Sequence, residues 1–514
     1  MLTEKVNTAI KDLEAVKRFV VDPENPQSAE DLALVGAKSI RAMAQIYATG
    51  GDIDKMVPDI KDWLGNPREA ETDLERVAGE VLRREAKTRR FDHRFVGQIH
   101  PQGNKIGVIG NLVAAYMNTN RIFSGVSQSE ATMEHVSVRW LAKMFGYESS
   151  KSGGNLTTGG TEANIEALWI AREKALAKVH LKNLENKQSM YVFASDQRHY
   201  SVDKACELLG LRLITVESNN FKIDTGDLET KVRDVREGGG LVAAIIGIAG
   251  ETETGMVEDL QGLAKIAKEN HTFFHTDAAY GGPFVLSRAK DIFKGISEAD
   301  SITVDPHKML YTPYPAGALV LKDKNDHFLI SRVHQVNYLR NVVPRVVGSM
   351  GSAGVISTWA TLKLFGAEGI TALLDHTLDL ADYAHKRVSQ SEVLRPLYEP
   401  ELNTLLMGLT KKFKDRWRSK GLSDQQIDKE IGLMETEVFD KMNPGDNYIA
   451  INSNTDLDPD TKFKFSVFRY IGVHPYTTEK EVEESIAGLE STLTQRLETK
   501  HQELKNKFSS TLKQ

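Results

Sequence analysis

Between about residues 100 and 375 the chain repeats one pattern, a short β-rich apolar run followed by a turn and a stretch of helical character. The runs are SMYVFAS, LRLITVES, LVAAIIGIAG, TFFHTDAA, SITVD and GALVLKD, with helical segments such as DLQGLAKIAKEN among them. Strands that alternate with helices pair in parallel, because a parallel neighbour needs a long crossover and the crossover helix then covers the sheet. Continuous apolar runs are what strands buried on both faces require. The expected fold class is therefore α/β, a mainly parallel sheet covered by helices, in a large domain over residues 96–375.

The flanks read differently. Residues 1–95 form charged helical segments (AEDLALVGAKSIRAMAQIYA, DLERVAGEVLRREAK), broken near Asn66-Pro67, and define an N-terminal helical segment without evident chemistry. Residues 376–514 carry a long helical stretch, a polar helix-rich segment, the strand candidates NYIAINS and KFKFSVFRYIGV, and a charged closing helix. They read as a smaller C-terminal α/β domain, and the sparse apolar spacing of the last helix suits a solvated terminal helix rather than a coiled coil. A chain of 514 residues, 40% apolar, has the length and the core material for such an arrangement.

Charge and composition exclude several functions. Acidic residues outnumber basic ones by 71 to 65 and no long basic stretch could track a phosphate backbone, so nucleic acid is not an expected partner. The longest nearly apolar run, GGLVAAIIGIAG, is too short to span a bilayer, and the start MLTEKVNTAIKDLEAVKRF is an amphipathic helix carrying acids, so neither secretion nor membrane insertion is expected. Cys206 is the only cysteine, which rules out an intramolecular disulfide and a thiolate metal cluster and suits a cytoplasmic setting.

Four segments carry chemistry. In TTGGTEANIEALW, Gly159 and Gly160 open into a helix near Thr161, whose free N–H groups can receive a phosphate; ordinary turn chemistry has the same appearance. In FFHTDAAYGG an apolar strand delivers Asp277, which would need a cationic partner if buried; a protonated pyridine nitrogen would serve, and Ala279 leaves room for a flat ring, although a strand-end Asp can also cap a turn. In DSITVDPHKMLYTPYPAGALVLKD a strand presents His307 and Lys308, whose amine can condense with an aldehyde; taken alone it reads as a surface lysine. In YVFASDQRHYSVDKACELLG, His199 stands where a strand passes into a helix and could stack on a ring or cap the helix. All four segments lie at the carboxyl ends of strands, the side on which open α/β sheets bind ligands.

The ordered set TTGGTEAN, SDQRHYS, GETETG, HTDAAYGG and DSITVDPHK resembles the group II pyridoxal-phosphate-dependent amino-acid decarboxylases from about residue 90 to 375, with weaker agreement towards the C-terminus. The resemblance implies the fold-type I PLP-dependent transferase architecture and pyridoxal 5′-phosphate as cofactor. It implies that Lys308 holds the cofactor aldehyde through its amine, that Asp277 pairs with the ring nitrogen, that His199 stacks on the ring and that Ala279 packs beneath it. Phosphate contacts are implied for Gly160, Thr161 and His307, with Thr252 of GETETG nearby. A homodimer with shared sites is implied as well, with Gly348 and Ser349 of GSMGSAGVISTW near the phosphate of the other subunit. Tyr338 in HQVNYLRN, 30 residues beyond Lys308, is the implied proton donor to the carbon left when carbon dioxide departs, although a tyrosine packed at a loop edge would read the same.

Three positions depart from the family pattern: Met350 where many relatives have Arg, Glu251 for the first Thr of a Gly-Thr-Thr run, and Arg198 before His199. The same segments look most similar to bacterial tyrosine decarboxylases, which points to an aromatic L-amino acid, with glutamate or aspartate as the alternative. His100 in FVGQIHPQGN matches a substrate-side position, or is a turn histidine beside Pro101. A zinc hydrolase built on His271, His275 and Asp277 is disfavoured, because TFFHTDAA reads as a strand, where residues four apart lie about 13 Å from each other. A scaffold without a cofactor, acting through its charged C-terminal helices, is the remaining class.

Overall fold

The computed structural model describes residues 93–178, 190–333, 344–427, 429–431, 450–455 and 465–511, with five isolated positions nearer the start. The helical segment expected over residues 1–95 lies almost wholly outside the described residues, as does Tyr338. The chain divides into two units, residues 1–91 with 441–446 and residues 92–440 with 447–514, and the second carries the elements named below.

Helices α1 (Lys105–Met117) and α2 (Gln128–Met144) come first, α1 being started by Asn104, whose side chain accepts from the Gly107 N–H. There follow β1 (Gly153–Thr157), α3 (Gly160–Lys178), β2 (Met190–Ser195), α4 (Tyr200–Leu209), β3 (Arg212–Val216) and a small hairpin of β4 (Ser218–Asn219) and β5 (Lys222–Ile223). Next are α5 (Thr225–Glu237), β6 (Leu241–Ile248), α6 (Leu260–Glu269), β7 (Phe273–Asp277), β8 (Ser301–Val304) and β9 (Gly317–Leu321). Seven of these strands form one sheet in the order β1-β9-β8-β7-β6-β2-β3. From β3 to β8 every pairing is parallel, and β9 alone runs against both its neighbours. The expected mainly parallel sheet is thus present. Its exception has a local cause: residues 305–316 hold no crossover helix, so the chain after β8 returns antiparallel.

Burial on both faces follows from the alternation of side chains along each strand. Phe193, Ile245 and Phe274 point into one core with Leu141 and Leu263, while Val192, Ala244 and Ile246 point into another with Ala167 and Ile170 of α3. The sequence reading did not name β1, because GGNLT opens on two glycines and carries a single β-branched residue, Thr157, at its end. Gly154 there has φ 128°, and a Cβ on it would stand 2.0 Å from the Leu319 carbonyl oxygen, so only glycine lets β1 lie against β9.

Helix α7 (Ala353–Ser389), interrupted at Gly366, runs through the expected border at residue 376. Beyond it, β10 (Leu394–Pro396), β11 (Thr404–Leu409), α8 (Lys411–Ser419), β12 (Ala450–Thr455), β13 (Phe465–Ile471) and α9 (Glu479–Thr511) complete the unit. The second sheet, in the order β10-β11-β13-β12, is antiparallel throughout. The charged closing helix α9 buries a stripe of Val482, Ile486, Leu493 and Leu497 against Leu405, Met407, Phe468 and Tyr470. Among the described residues no helix is long and apolar enough to cross a membrane.

Candidate active site

The carboxyl ends of β6, β7 and β8 stand side by side, with Ile248 paired to Asp277 and Asp277 to Thr303. A cavity of about 400 Å³ opens over them, and it brings together Gly160, Thr161, His199, Thr252, Asp277, Ala279, His307 and Lys308 of the residues singled out from sequence. Lys308 and Asp277 therefore face one space.

Asp277 is buried, and its two oxygens have separate donors, Asn164 Nδ2 at 2.8 Å and the Ala279 N–H at 3.1 Å. Lys308 Nζ lies 3.0 Å from Asp305 Oδ2, three residues back on the same turn. His307 points its Nε2 towards the same oxygen at 3.5 Å, accepts from the Ala316 N–H at Nδ1, and stacks on Tyr314 with ring centroids 3.8 Å apart. Burial pushes its pKa down to about 4 despite the neighbouring Asp305, so His307 is a neutral ring at ordinary pH. His199 is the N-cap of α4, accepting from the Ser201 N–H, and it also lines the cavity. Burial lowers its pKa as well.

The helix start at α3 is shaped by its neighbours. Glu162 accepts from both the backbone N–H and the hydroxyl of Thr158, which turns its carboxylate back onto the preceding loop. A Cβ on Gly160 would stand 3.0 Å from Asp305 Oδ2 and 3.2 Å from Ala279 Cβ, so a bare residue lets the first N–H groups of the helix reach the cavity floor.

The remaining candidates lie elsewhere. His100 sits behind the cavity wall, its ring edge-on to Tyr314 at 5.4 Å, and burial followed by the Lys308 charge lowers its pKa. Gly348 and Ser349 do not line this cavity; Ser349 is exposed and accepts from Asn120 Nδ2, and Gly348 lies near Ile122. The zinc set does not assemble as a ligand group: His271 precedes β7, and although His275 and Asp277 share a face of that strand, both ring nitrogens of His275 are engaged, by Ser301 and Asn164.

The departures from the family pattern each have a place. The Glu251 carboxylate folds into its own turn, accepting from the Glu253 and Thr254 N–H groups and the Thr254 hydroxyl. Arg198 braces α4 through a two-bond contact with Asp203. The Met350 sulfur accepts from Arg121 in a buried ion cluster. The sequence reading missed Asn164, Asp305 and Tyr314. Asn164 lies one turn from Gly160 within TTGGTEAN, and Asp305 three residues before Lys308.

The donor set suits pyridoxal 5′-phosphate: an amine for the aldehyde, a buried carboxylate for the ring nitrogen and helix N–H groups for the phosphate. Such a cavity, at the strand ends of a mainly parallel sheet with one reversed strand, places the chain among the fold-type I pyridoxal-phosphate enzymes. Within that class, residues 74–405 match the model of the pyridoxal-dependent decarboxylase conserved domain, and the chain belongs to that family, whose cofactor is pyridoxal phosphate. An L-aspartate decarboxylase of Thermococcus kodakarensis is 31% identical over 65% of this chain and 85% of its own length. An aromatic-L-amino-acid decarboxylase of Bacillus atrophaeus is 28% identical over 57% of this chain; the match spans 62% of that relative, less than two thirds of it. The crystal structure of an Oryza sativa protein named TDC, with PLP and tryptamine, covers 93% of this chain and all of its own at a TM-score of 0.79 and 18% identity, a likeness of fold.

Proposed function

We propose that the chain removes the α-carboxyl group of an L-amino acid as carbon dioxide, giving the amine, with an aromatic amino acid such as L-tyrosine as substrate. The observation that carries this reading is the single cavity shared by Lys308, Asp277 and the glycine-opened start of α3. Ile99, Tyr200, Ile248 and Tyr314 supply apolar and aromatic wall, which favours a ring in the substrate. Aspartate or glutamate is the second reading, supported by the aspartate-named relative from Thermococcus kodakarensis.

Bound in this cavity, pyridoxal phosphate supplies an electron sink for the bond to the departing carboxyl group. The chain supplies position and protons. Lys308 is the amine that anchors the aldehyde, and Asp305 Oδ2 positions it at 3.0 Å. Asp277, fixed by two donors, opposes a positive ring nitrogen, while His199 and Ala279 bound the space for the ring. Gly160, Thr161, Thr252 and His307 form the phosphate end, and His100 acts on the substrate side only through Tyr314, against which its ring packs.

A proton must then reach the α-carbon. Tyr338 is the donor that the family pattern implies. Tyr314 is a described phenol on the cavity wall; burial, then the Asp305 charge, push its pKa up to about 12, so it keeps its proton at neutral pH. Product ratios in air-saturated buffer separate the two: with the true donor replaced by Phe, dissolved dioxygen acts as the two-electron oxidant and a rising share of product leaves as aldehyde with ammonia and hydrogen peroxide, whereas the other variant keeps the wild-type ratio.

The protein works as a homodimer in which Gly348 and Ser349 serve the partner's phosphate end. Supporting this, Val108, Ile109, Leu112, Val113 and Met117 leave one side of α1 exposed and apolar. A cytoplasmic setting suits Cys206, which is buried, with a thiol pKa raised to about 12 by that burial.

The deciding experiment loads the purified chain with pyridoxal phosphate, reduces a portion with borohydride to locate the linked lysine, and screens the common L-amino acids for amine release. Tyramine as the main product supports the reading. β-Alanine or γ-aminobutyrate alone transfers it to the acidic substrates, and a cofactor linked away from Lys308 sinks it.

A further inference from the structure

His199 ends a hydrogen-bond chain that has only one consistent direction. A carboxylate only accepts, so the Asn164 side chain must face Asp277 Oδ2, 2.8 Å away, with its NH₂ group and not its oxygen. The second hydrogen of that NH₂ goes to Ser201 Oγ at 2.9 Å. Having accepted there, Ser201 sends its own hydrogen to His199 Nδ1 at 2.8 Å, where its backbone N–H also points, at 3.3 Å. Two donors facing Nδ1 leave that nitrogen bare, and a neutral ring then carries its proton on Nε2.

The other end of the amide is equally determined. Asn164 Oδ1 needs a donor, and His275 Nε2 at 3.0 Å provides it, which makes His275 Nδ1 the acceptor for the Ser301 hydroxyl at 2.8 Å. Asn164, Ser201, His275 and Ser301 are all at most 1% exposed, so water does not compete for these bonds.

We propose that Asn164 is a positioning residue of the cavity: through the direction of its hydrogen bonds it sets His199 as an Nε2–H donor and holds Asp277 as a pure acceptor. A donor of that kind suits an anionic oxygen of whatever the cavity binds, a carboxylate or a phosphate, and cannot itself accept. Asn164 thereby couples the residue beside the ring to the residue at the ring nitrogen. The assignment to a ring rests on the proposed cofactor chemistry; the proton positions do not.

Neutron diffraction from deuterium-exchanged crystals of the full chain, without and with pyridoxal phosphate, tests the proton positions directly. Deuterium on His199 Nε2 and on His275 Nε2, with both Nδ1 atoms bare, is the expected map, and deuterium on His199 Nδ1 overturns the proposal. This outcome is independent of whether any amino acid is decarboxylated. Asn164→Asp tests the coupling to Asp277 by equilibrium binding of pyridoxal phosphate. Replacing the NH₂ by a second carboxylate oxygen is expected to weaken binding about tenfold or more, the scale of one hydrogen bond to a charged group. Asn164→Ala, which only deletes the donor, should weaken it less. Equal affinity in wild type and Asn164→Asp, with the fold intact by circular dichroism, removes Asn164 from the positioning role.

Discussion

Two buried clusters of charge flank Thr158, and they have opposite fates. On one side Lys308, Asp305 and Asp277 stand around a space of about 400 Å³. On the other, Glu134 is clasped by Arg345 at 2.7 and 3.0 Å and by Arg121 at 3.3 Å, accepts from the Leu156 N–H, and adjoins a space of about 100 Å³. Burial alone would raise the Glu134 pKa, but the guanidiniums of Arg345 and Arg121 outweigh it and hold the carboxyl below its usual range. Charges that meet each other inside the chain act as a brace. Asp277, held by an amide and a backbone N–H rather than by a cation, is left to meet a ligand.

The contrast breaks first at Lys308. Lys308→Ala should abolish amine release by on the order of 10³-fold or more, because no other group supplies the anchoring amine. Thermal stability should change less than in Glu134→Gln, since Lys308 and its ion-pair partner Asp305 both line the open cavity, where solvent can reach the carboxylate left behind. A large fall in melting temperature with residual activity would make Lys308 a structural residue instead. Glu134→Gln is the mirror experiment. It leaves two buried guanidiniums without their anion and should cost about 3–5 kcal/mol of stability, read by denaturant or thermal unfolding. Affinity for pyridoxal phosphate in the surviving folded fraction should stay near wild type.

These two clusters also differ in how far sequence exposed them. Lys308 with Asp305, and Asp277 with Ala279, are contiguous in DPHK and DAA, each delivered by a strand whose apolar run is obvious, so strand ends could be aligned without knowing any distance. The Glu134 brace draws on α2, the segment before it, and residues 345–350, which no periodicity links. Strand β1 stayed hidden because its glycines serve a close approach rather than β propensity. Asn164 sat within a quoted motif yet was passed over, since nothing local says that an amide one turn into a helix will meet a carboxylate 113 residues away. The four-stranded sheet was half visible: NYIAINS and KFKFSVFRYIGV announced two strands, whereas the three-residue β10 is too short to carry a pattern.

Acid should dismantle the two clusters at different pH. His307 has a folded-state pKa of about 4, depressed from an unfolded value near 6.5, so the unfolded chain takes up the proton first. The stability that depends on its neutrality is present above about pH 6.5 and is lost as pH falls towards 4. His275, also pushed down to about 4 by burial, adds to the same limb. Glu134, with its folded pKa below the usual range, contributes stability that is complete above about pH 4.3 and disappears only at lower pH. A melting-temperature profile should therefore fall in two stages. His307→Gln should flatten part of the first stage and Glu134→Gln the second; the reverse pairing would mean that the titrating groups are misassigned.

The smallest effect sharpens what the Met350 sulfur does. Arg121 Nη2 donates both to that sulfur and to the Leu156 carbonyl oxygen at 3.2 Å. A thioether is a weak acceptor, and Met→Leu conserves volume and apolar contact. If the carbonyl and Glu134 suffice for Arg121, Met350→Leu should cost less than about 1.5 kcal/mol, with unchanged affinity for pyridoxal phosphate. Burial already lowers the Arg121 pKa to about 10 in spite of Glu134, so this guanidinium is the member of the brace most sensitive to losing a partner. A loss approaching that of Glu134→Gln would show that the sulfur completes the solvation of Arg121, and that the brace depends on the methionine at residue 350.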